Sequence, residues 1–219
     1  MQAPLFSALD AEAAVALRAS MVETLAPRGT IIFNEGEIGD HMYVIVGGKI
    51  KLGHASSDGR ESLLAVLGPG EIFGELSLFD PGPRTATATA LTDARVLALG
   101  NTSLHPWLAG RPEVAEALLA ALARRLRRTN DALADLVFSD VPGRVAKALL
   151  ELADKFGTWH EEGTLVKHDM TQEELAQLVG ASRETVNKAL ADFTQRGWIR
   201  VDQREVLLLS VDRLARRAR

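Results

Sequence analysis

The stretch from Pro112 to about Phe138 constrains the fold of this chain more than any other. Positions at alternating spacings of four and three residues form one series: Ala115, Leu119, Leu122, Leu126, Thr129, Leu133 and Leu136. This spacing is a heptad seam sustained over three heptads, and it predicts a single long α-helix. Pro112 suits a first helical turn, and Glu113 favours the positive end of the helix dipole. Because such a seam requires a partner helix, the sequence predicts a homodimer.

The single polar member of the seam, Thr129, is followed by Asn130 and preceded by four arginines within five residues. Thr129 could fix the register of the paired helices, as polar residues at such positions do. Alternatively, Thr129 and Asn130 could face a ligand bound where the two subunits meet. Periodicity alone favours the first interpretation.

Composition restricts the class of protein. The chain has 219 residues, of which 47% are hydrophobic and 25% charged, as expected of one large or two small globular domains. No apolar run approaches the ~18 residues of a membrane span, so no membrane partner is expected. The absence of cysteine excludes disulfides, Cys-ligated zinc and Cys-held iron–sulfur clusters, and it fits a reducing cytoplasm.

Charge is distributed unevenly along the chain. Residues 1–110 carry 7 basic and 12 acidic groups, a balance of −5, whereas residues 183–219 carry 9 basic and 5 acidic groups, a balance of +4. A basic C-terminal end on an acidic protein suggests a local site for a polyanion. A solvated basic tail would give the same count.

Short elements flank the long helix. Residues 5–24 predict an amphipathic helix with Asp10 near its start, and residues 25–99 form glycine-punctuated β-rich runs that indicate an antiparallel sandwich or barrel. The sequence SDVPG at 139–143 breaks the heptad and predicts a hinge. A further helix is expected over 144–156, ended by Gly157. The predicted divisions are therefore 1–111, 112–138, 139–143 and 144–219.

The segment FGELSLFDPGPRTA, residues 73–86, has the composition of an anion site. Arg84 can bind a phosphate through two parallel hydrogen bonds, and Thr85 adds a hydroxyl donor. Glu75 cannot bind phosphate, but its carboxylate can accept hydrogen bonds from a sugar hydroxyl. The plainer alternative is that Glu75 and Arg84 pair with each other in a corner of the β-domain.

Residues 170–196 predict a helix-turn-helix. Thr171 and Glu174 have capping-box spacing, Gly180 supplies the turn, and Ser182 can cap a second helix. In that helix Val186, Leu190 and Phe193 share one face and should pack inward with Leu175 and Leu178. The N-terminal residues of the second helix would then point at base edges.

The exposed face of the second helix carries Arg183, Glu184, Asn187 and Lys188. Arginine can bind guanine O6 and N7 together, and glutamate can accept from cytosine N4. A Glu184–Lys188 pair on an ordinary surface helix is the simpler alternative. After Gly197, two short strands joined at residues 202–205 predict the wing of a winged helix, with Arg200 and Arg204 near its tip.

Segment 73–86, together with LARRLRRTN, DVPGR and GASRETVNKAL, resembles the cyclic-AMP receptor branch of the CRP/FNR regulators, especially the actinobacterial cyclic-AMP receptor-like members. The resemblance covers essentially the whole chain. It implies an α+β protein with an N-terminal β-roll or jelly-roll that binds cyclic nucleotides, a dimerisation helix and a C-terminal winged helix-turn-helix. It also favours a ligand role for Thr129 over a register role.

The resemblance implies specific contacts. Cyclic AMP would be held by Gly74, Glu75, Leu76, Arg84, Thr85, Thr129 and, from the partner subunit, Asn130. DNA would be contacted by Thr171, Ser182, Arg183, Glu184, Asn187, Lys188 and Arg200. The enterobacterial receptor usually has serine where Thr85 and Asn130 stand, and arginine where Lys188 stands. A palindrome of TGTGA-like half-sites and, as a candidate further partner, RNA polymerase are also implied.

Other functional classes fit less well. An enzyme is not expected, because the five histidines lie far apart without HExxH or other metal-ligand spacing and no nucleophile–base pair stands out. No catalytic or metal site is therefore predicted. An architectural protein of the same fold that binds DNA without a nucleotide is the remaining alternative, although Glu75 and Arg84 are both present.

Overall fold

The computed structural model of this chain describes Phe6, residues 9–56 and residues 61–218. The chain divides into two compact units. The first contains the chain up to Ala55 and Leu64–Arg128, and the second contains Ser56–Leu63 and Thr129–Arg219. The N-terminal elements are mainly β-strands, whereas after the long helix the described elements are four helices and four short strands.

Before the long helix, the described elements are eight strands and three short helices. They are α1 (Ala11–Ala19), β1 (Val22–Ala26), β2 (Ile31–Phe33), β3 (His41–Gly47), β4 (Ile50–Ala55), β5 (Glu61–Leu67), β6 (Ile72–Phe73), α2 (Leu76–Phe79), β7 (Thr87–Ala90), β8 (Ala94–Gly100) and α3 (Asn101–Gly110). The strands form two four-stranded sheets, with orders β1-β8-β3-β6 and β2-β7-β4-β5. The antiparallel β-fold predicted from the sequence is confirmed.

Alternation along the strands gives the first sheet two buried faces. On β3, Ile45 belongs to the core between the sheets, whereas Met42 and Val44 belong to a second core on the opposite face. The second core also contains Leu17 of α1 and Leu104 of α3. Successive strand residues point to opposite faces, so the helices cover one side of the sheet and the second sheet covers the other.

The helix predicted over 5–24 is shorter in the structure. Asp10 caps α1 by accepting a hydrogen bond from the backbone N–H of Ala13 at 2.7 Å. The helix stops at Ala19 because the chain turns there and Val22 begins pairing with Ala98 of β8. The β-region thus starts at residue 22 rather than 25. Residues 5, 7 and 8 of the predicted helix lie outside the described residues.

The long helix α4 spans Pro112–Phe138, 27 residues, as the heptad predicted. It carries two different apolar faces. Val114 and Leu118 are buried in the core of the β-domain, a face that the heptad series did not include. Most of the leucines of the seam are instead exposed: Leu119, Leu126, Leu133 and Leu136. Neither α4 nor any other described helix is both long and apolar enough to cross a membrane.

After α4 the chain forms helices and a small sheet. The elements are α5 (Val141–Phe156), β9 (Gly157–His160), β10 (Gly163–Lys167), α6 (Gln172–Val179), α7 (Arg183–Gln195), β11 (Ile199–Asp202), β12 (Glu205–Leu208) and α8 (Val211–Arg217). The four strands are ordered β11-β12-β10-β9, and their pairs are antiparallel. Helices α6 and α7 with the β11–β12 hairpin make the expected winged helix-turn-helix.

Helix α5 starts three residues before its predicted start at Arg144. The Asp140 side chain caps it by accepting from the backbone N–H of Gly143 at 2.9 Å. Pro142 lies in the first turn, where a missing N–H costs nothing. The chain between the two helices is therefore only Ser139 and Asp140, and the remaining residues of the predicted hinge are helical.

Candidate functional site

Arg84 is a buried cation in the loop between α2 and β7, with 5% of its surface exposed. Its Nη1 donates to the carbonyl oxygen of Gly74 at 2.6 Å, and its Nη2 donates to that of His41 at 2.8 Å. The ring of Phe33 lies 4.2 Å from the guanidinium carbon. In the described part of the chain no carboxylate forms an ion pair with this guanidinium, and Glu37 and Asp40 interact with its charge only at longer range. A buried cation of this kind is stabilised by an anion that can reach its remaining N–H groups.

Glu75 is a buried carboxylate at the start of α2, with 3% of its surface exposed. Its Oε1 accepts from Nη1 of Arg125 on α4 at 2.5 Å, and Nη2 of Arg125 donates to the carbonyl oxygen of Ile72. The expected alternative, a Glu75–Arg84 pair, is therefore wrong. The Oε2 atom of Glu75 is buried and has no hydrogen-bond partner among the described residues. An unsatisfied buried carboxylate oxygen requires a donor, and a sugar hydroxyl is one.

A small hollow of about 10 Å³, room for about one water molecule, lies beside this carboxylate. Its walls are formed by β6, by Glu75 and by one face of α4: Ile72, Glu75, Leu118, Ala121, Leu122 and Arg125. The charged groups of Glu75 and Arg125 give this hollow its polar end.

The other predicted pocket residues lie either beside these charged residues in the sequence or on α4. Gly74 has φ +74°, a conformation that favours glycine, and a Cβ there would lie 2.9 Å from Nη1 of Arg84. Leu76 and Thr85 are exposed, each next to a buried charged residue. Thr129 and Asn130 are exposed on α4, where Thr129 lies one helical turn beyond Arg125.

The second candidate site is the N-terminal part of α7. The capping box is present: Glu174 N–H donates to Thr171 Oγ1 at 3.1 Å, and Thr171 N–H donates to Glu174 Oε2 at 2.7 Å. Gly180 ends α6 with φ +64°, which glycine adopts without strain. Ser182 caps α7 by accepting from Thr185 N–H at 3.2 Å. These local bonds determine where α6 begins and ends and where α7 begins.

The buried face of α7 contains Val186, Leu190 and Phe193, as predicted. On α6, Leu175 is buried as expected, whereas Leu178 is only half-buried. The opposite face of α7 exposes Arg183, Glu184 and Lys188.

Polar contacts distinguish the residues of this surface. Lys188 and Glu184 form an exposed ion pair at 2.7 Å, the contact expected of a surface helix. Asn187 is half-buried, and its Oδ1 has no partner in the described chain. Arg200 lies two residues before the wing turn and donates twice to the Glu162 carboxylate, at 2.7 and 2.9 Å. The turn itself holds Arg204, so this arginine and not Arg200 occupies the wing tip.

Glu75 and Arg84 of the first site, and the α7 residues of the second, lie within two matches to known families. Residues 23–109 match the cyclic nucleotide-binding domain, and residues 143–217 match the Crp-like helix-turn-helix domain. The chain is 56% identical over 218 residues to the CRP-like cAMP-activated global transcriptional regulator of Mycobacterium tuberculosis, covering 100% of this chain and 97% of that protein. The chain belongs to the CRP/FNR family of transcription regulators.

Other members of the family are similar over nearly their whole length. The cyclic AMP receptor protein of Thermus thermophilus is 38% identical over 211 residues, 94% of each chain. The crystal structure of the Thermus thermophilus catabolite activator protein matches with a TM-score of 0.57, 37% identity and 98% coverage of both chains. FixK2 from Bradyrhizobium japonicum matches with a TM-score of 0.80 and 26% identity, over 90% of this chain and 96% of that one. The resemblance noted in the sequence is confirmed, and the chain is a regulator, not an enzyme.

In this CRP/FNR regulator, sequence reasoning missed Arg125. The sequence alone gives no reason to choose one of the four arginines at 124–128 over the others. A second helical face was nevertheless visible in the spacing of Leu118, Ala121 and Arg125, which differ by three and four. The apolar members of that face pack on the β-domain, so the arginine on it is brought to Glu75.

Replacing Arg125 with alanine should destabilise the β-domain, because the buried Glu75 carboxylate would lose its charged donor. About a third of the Arg125 side chain is exposed, so we expect a loss of roughly 1–2 kcal/mol, below the cost for a fully buried pair. Thermal unfolding would measure it. The double variant with Glu75→Gln should recover part of the stability, and an Arg124→Ala control should change little. Equal losses for both single arginine variants would contradict the pairing.

Proposed function

We propose that this chain is a homodimeric regulator that binds cyclic AMP and then binds DNA palindromes with TGTGA-like half-sites. The observation that carries the proposal is the pair of incomplete buried groups at one end of α2. Arg84 is a buried cation that forms no ion pair in the described chain, and Glu75 has a buried oxygen without a donor. A cyclic nucleotide supplies one anionic phosphate and one free ribose hydroxyl, which complement both.

Each part of the ligand has a candidate partner. The cyclic phosphate carries one negative charge, which Arg84 would neutralise with help from the Thr85 hydroxyl. The ribose 2′-hydroxyl would donate to Glu75 Oε2, while the backbone at Gly74 and Leu76 would border the sugar. The relatives from Mycobacterium tuberculosis and Thermus thermophilus are named for cyclic AMP. That naming favours adenosine over another nucleoside.

Adenine recognition would use the long helix. Thr129 of one subunit and Asn130 of the other would contact the base from the paired α4 helices. Both side chains can donate and accept hydrogen bonds, as the edge of adenine requires. This assignment needs the dimer, because the two residues point in different directions on the helix.

Dimerisation is supported by the exposed leucines of α4. Leu119, Leu126 and Leu133 are 65%, 62% and 58% exposed in the single chain. They fall on the heptad seam that was predicted from the sequence. Pairing of the α4 helices of two copies would bury this stripe of exposed leucines.

DNA recognition would use the exposed face of α7. In a dimer, two such helices can enter successive major grooves one DNA turn apart. Arg183, Glu184 and Lys188 would read base edges, with Asn187 beside them, and the capping residues Thr171 and Ser182 would lie near phosphates. The Glu184–Lys188 pair would have to open for both to contact bases. Arg200 would contact a phosphate only after leaving Glu162. RNA polymerase is the further partner that a transcription regulator of this family would contact.

Replacing Arg183 with alanine should weaken specific DNA binding by about 1–3 kcal/mol and relax the preference at one guanine. Arg183 is the first residue of α7 and is exposed. Gel-shift titrations with single-base variants of the half-site would measure the change. Arg196→Ala, at the far end of the same helix, is the matched control. Unchanged preference at every position would show that α7 does not read the groove in this way.

The proposal as a whole is tested by a DNA-shift titration on a TGTGA palindrome with and without cyclic AMP. We expect the nucleotide to increase DNA affinity, because a ligand shifts an equilibrium when it binds one state more tightly. Equal DNA binding in both conditions would favour the nucleotide-independent DNA-binding protein. If the chain bound neither the palindrome nor scrambled DNA, the proposed DNA-binding function would be wrong.

A further inference from the structure

We propose that Gly39 is a positioning residue for Arg84, because its missing side chain provides the space in which the guanidinium lies. The inference rests on the proposed function, in which Arg84 binds the cyclic phosphate. Gly39 lies in the loop between β2 and β3, 45 positions before Arg84 in the sequence.

Backbone contacts hold this loop against Arg84. The Arg84 N–H donates to the carbonyl oxygen of Glu37 at 2.8 Å, and the Arg84 carbonyl oxygen accepts from the N–H of Gly36 at 2.9 Å. Ile38 forms an isolated β-bridge with Pro83. Gly39 therefore cannot move away from the arginine without breaking main-chain hydrogen bonds.

A side chain at Gly39 would occupy the position of the guanidinium. An ideal Cβ there would lie 2.5 Å from both Cζ and Nε of Arg84 and 2.8 Å from Nη1. Because these distances are nearly equal, the Cβ would lie over the face of the planar group and not at its edge. Gly39 does not have a positive φ, so alanine is compatible with the backbone there.

The displaced guanidinium would lose the contacts that orient it. Two backbone carbonyl oxygens, those of Gly74 and His41, hold Nη1 and Nη2 in place, and the Phe33 ring lies 4.2 Å from Cζ. A methyl group at Gly39 forces the end of a flexible side chain to move while the backbone stays. Bidentate binding of a phosphate depends on the orientation of the planar guanidinium. The substitution should therefore weaken phosphate binding more than it disturbs the fold.

The test is calorimetry with cyclic AMP on the full-length chain. Gly39→Ala should bind at least ~10-fold more weakly than wild type, the lower end of the cost of a charge-assisted contact. Gly110→Ala is the matched control, since a Cβ at Gly110 meets no atom within 4 Å. It should bind as wild type does. Thermal unfolding should show Gly39→Ala to be folded.

Repeating the Gly39→Ala substitution in an Arg84→Lys chain separates a positioning role of Gly39 from a general structural effect. In an Arg84→Lys chain the planar group is absent, so adding Gly39→Ala should cost much less than it does in wild type. An equal fold-loss in both backgrounds, or wild-type affinity of Gly39→Ala, would overturn the inference while leaving the proposed function intact. A wild-type chain that fails to bind cyclic AMP would overturn both.

Discussion

Replacing Arg84 with leucine should lower the affinity for cyclic AMP by about 10- to 150-fold, the equivalent of ~1.5–3 kcal/mol for a charge-assisted contact. Leucine removes the buried guanidinium opposite the proposed phosphate while keeping an apolar side chain near Phe33. The fold should survive, because among the described residues the guanidinium hydrogen-bonds to two backbone carbonyl oxygens and its removal breaks no ion pair. Calorimetry would measure the affinity, and circular dichroism would check the fold.

Arg84→Lys should give an intermediate affinity, since the charge remains but the bidentate hydrogen bonding of the guanidinium is lost. The increase in DNA affinity caused by the nucleotide should fall in the same order, because coupling is limited by differential ligand affinity. Arg28→Leu, an exposed arginine of the same domain, is the control and should leave nucleotide affinity unchanged. If Arg84→Leu binds cyclic AMP as tightly as wild type, the phosphate is held elsewhere and segment 73–86 is not the pocket.

The parts of the fold that the sequence predicted well are those set by short-range chemistry. The capping box at Thr171 and the Ser182 cap determine where α6 and α7 begin, and all their partners lie within three residues. The heptad of α4 and the alternation of small residues on β7 are likewise properties of a few neighbouring positions. Such features need no knowledge of the rest of the chain.

The errors in element boundaries have two different physical origins. Residues 139–143 look like a breaker because they contain proline and glycine, but a proline in a first turn begins a helix as readily as it ends one. The decisive contact was the Asp140 cap on Gly143, which turns a predicted hinge of five residues into two. Strand β1 was placed too late because its partner, β8, lies about 70 residues away in the sequence.

The candidate site was predictable in part. Glu75 and Arg84 share a segment whose residue types point to a phosphate and a sugar. Their actual partners could not be deduced, because Arg125 lies 50 positions from Glu75 and the His41 carbonyl lies 43 positions from Arg84. The space provided by Gly39 is equally invisible in the sequence. A glycine in a loop gives no indication of which distant side chain lies against it.

Leu126→Asp should convert the protein to a monomer and abolish specific DNA binding. In the single chain Leu126 is 62% exposed, so a charge there is compatible with folding. In a paired seam the same carboxylate would be buried without a partner in each copy, at a cost of about 3–5 kcal/mol apiece. Sedimentation velocity would measure the dimer, and gel shift the DNA affinity, which depends on two linked recognition helices.

Leu126 is a sharper test of the seam than Leu122, although both belong to it. Leu122 also lines the hollow beside Glu75, so an aspartate there would place a second negative charge near the proposed ribose site and disturb ligand binding directly. Ala120→Asp provides the control, because Ala120 is exposed on the same helix but lies off the heptad series. It adds the same charge and should leave the dimer intact. If Leu126→Asp remained dimeric while still folded, the subunits would associate through another surface, and the placement of Thr129 and Asn130 at a shared ligand site would fail with it.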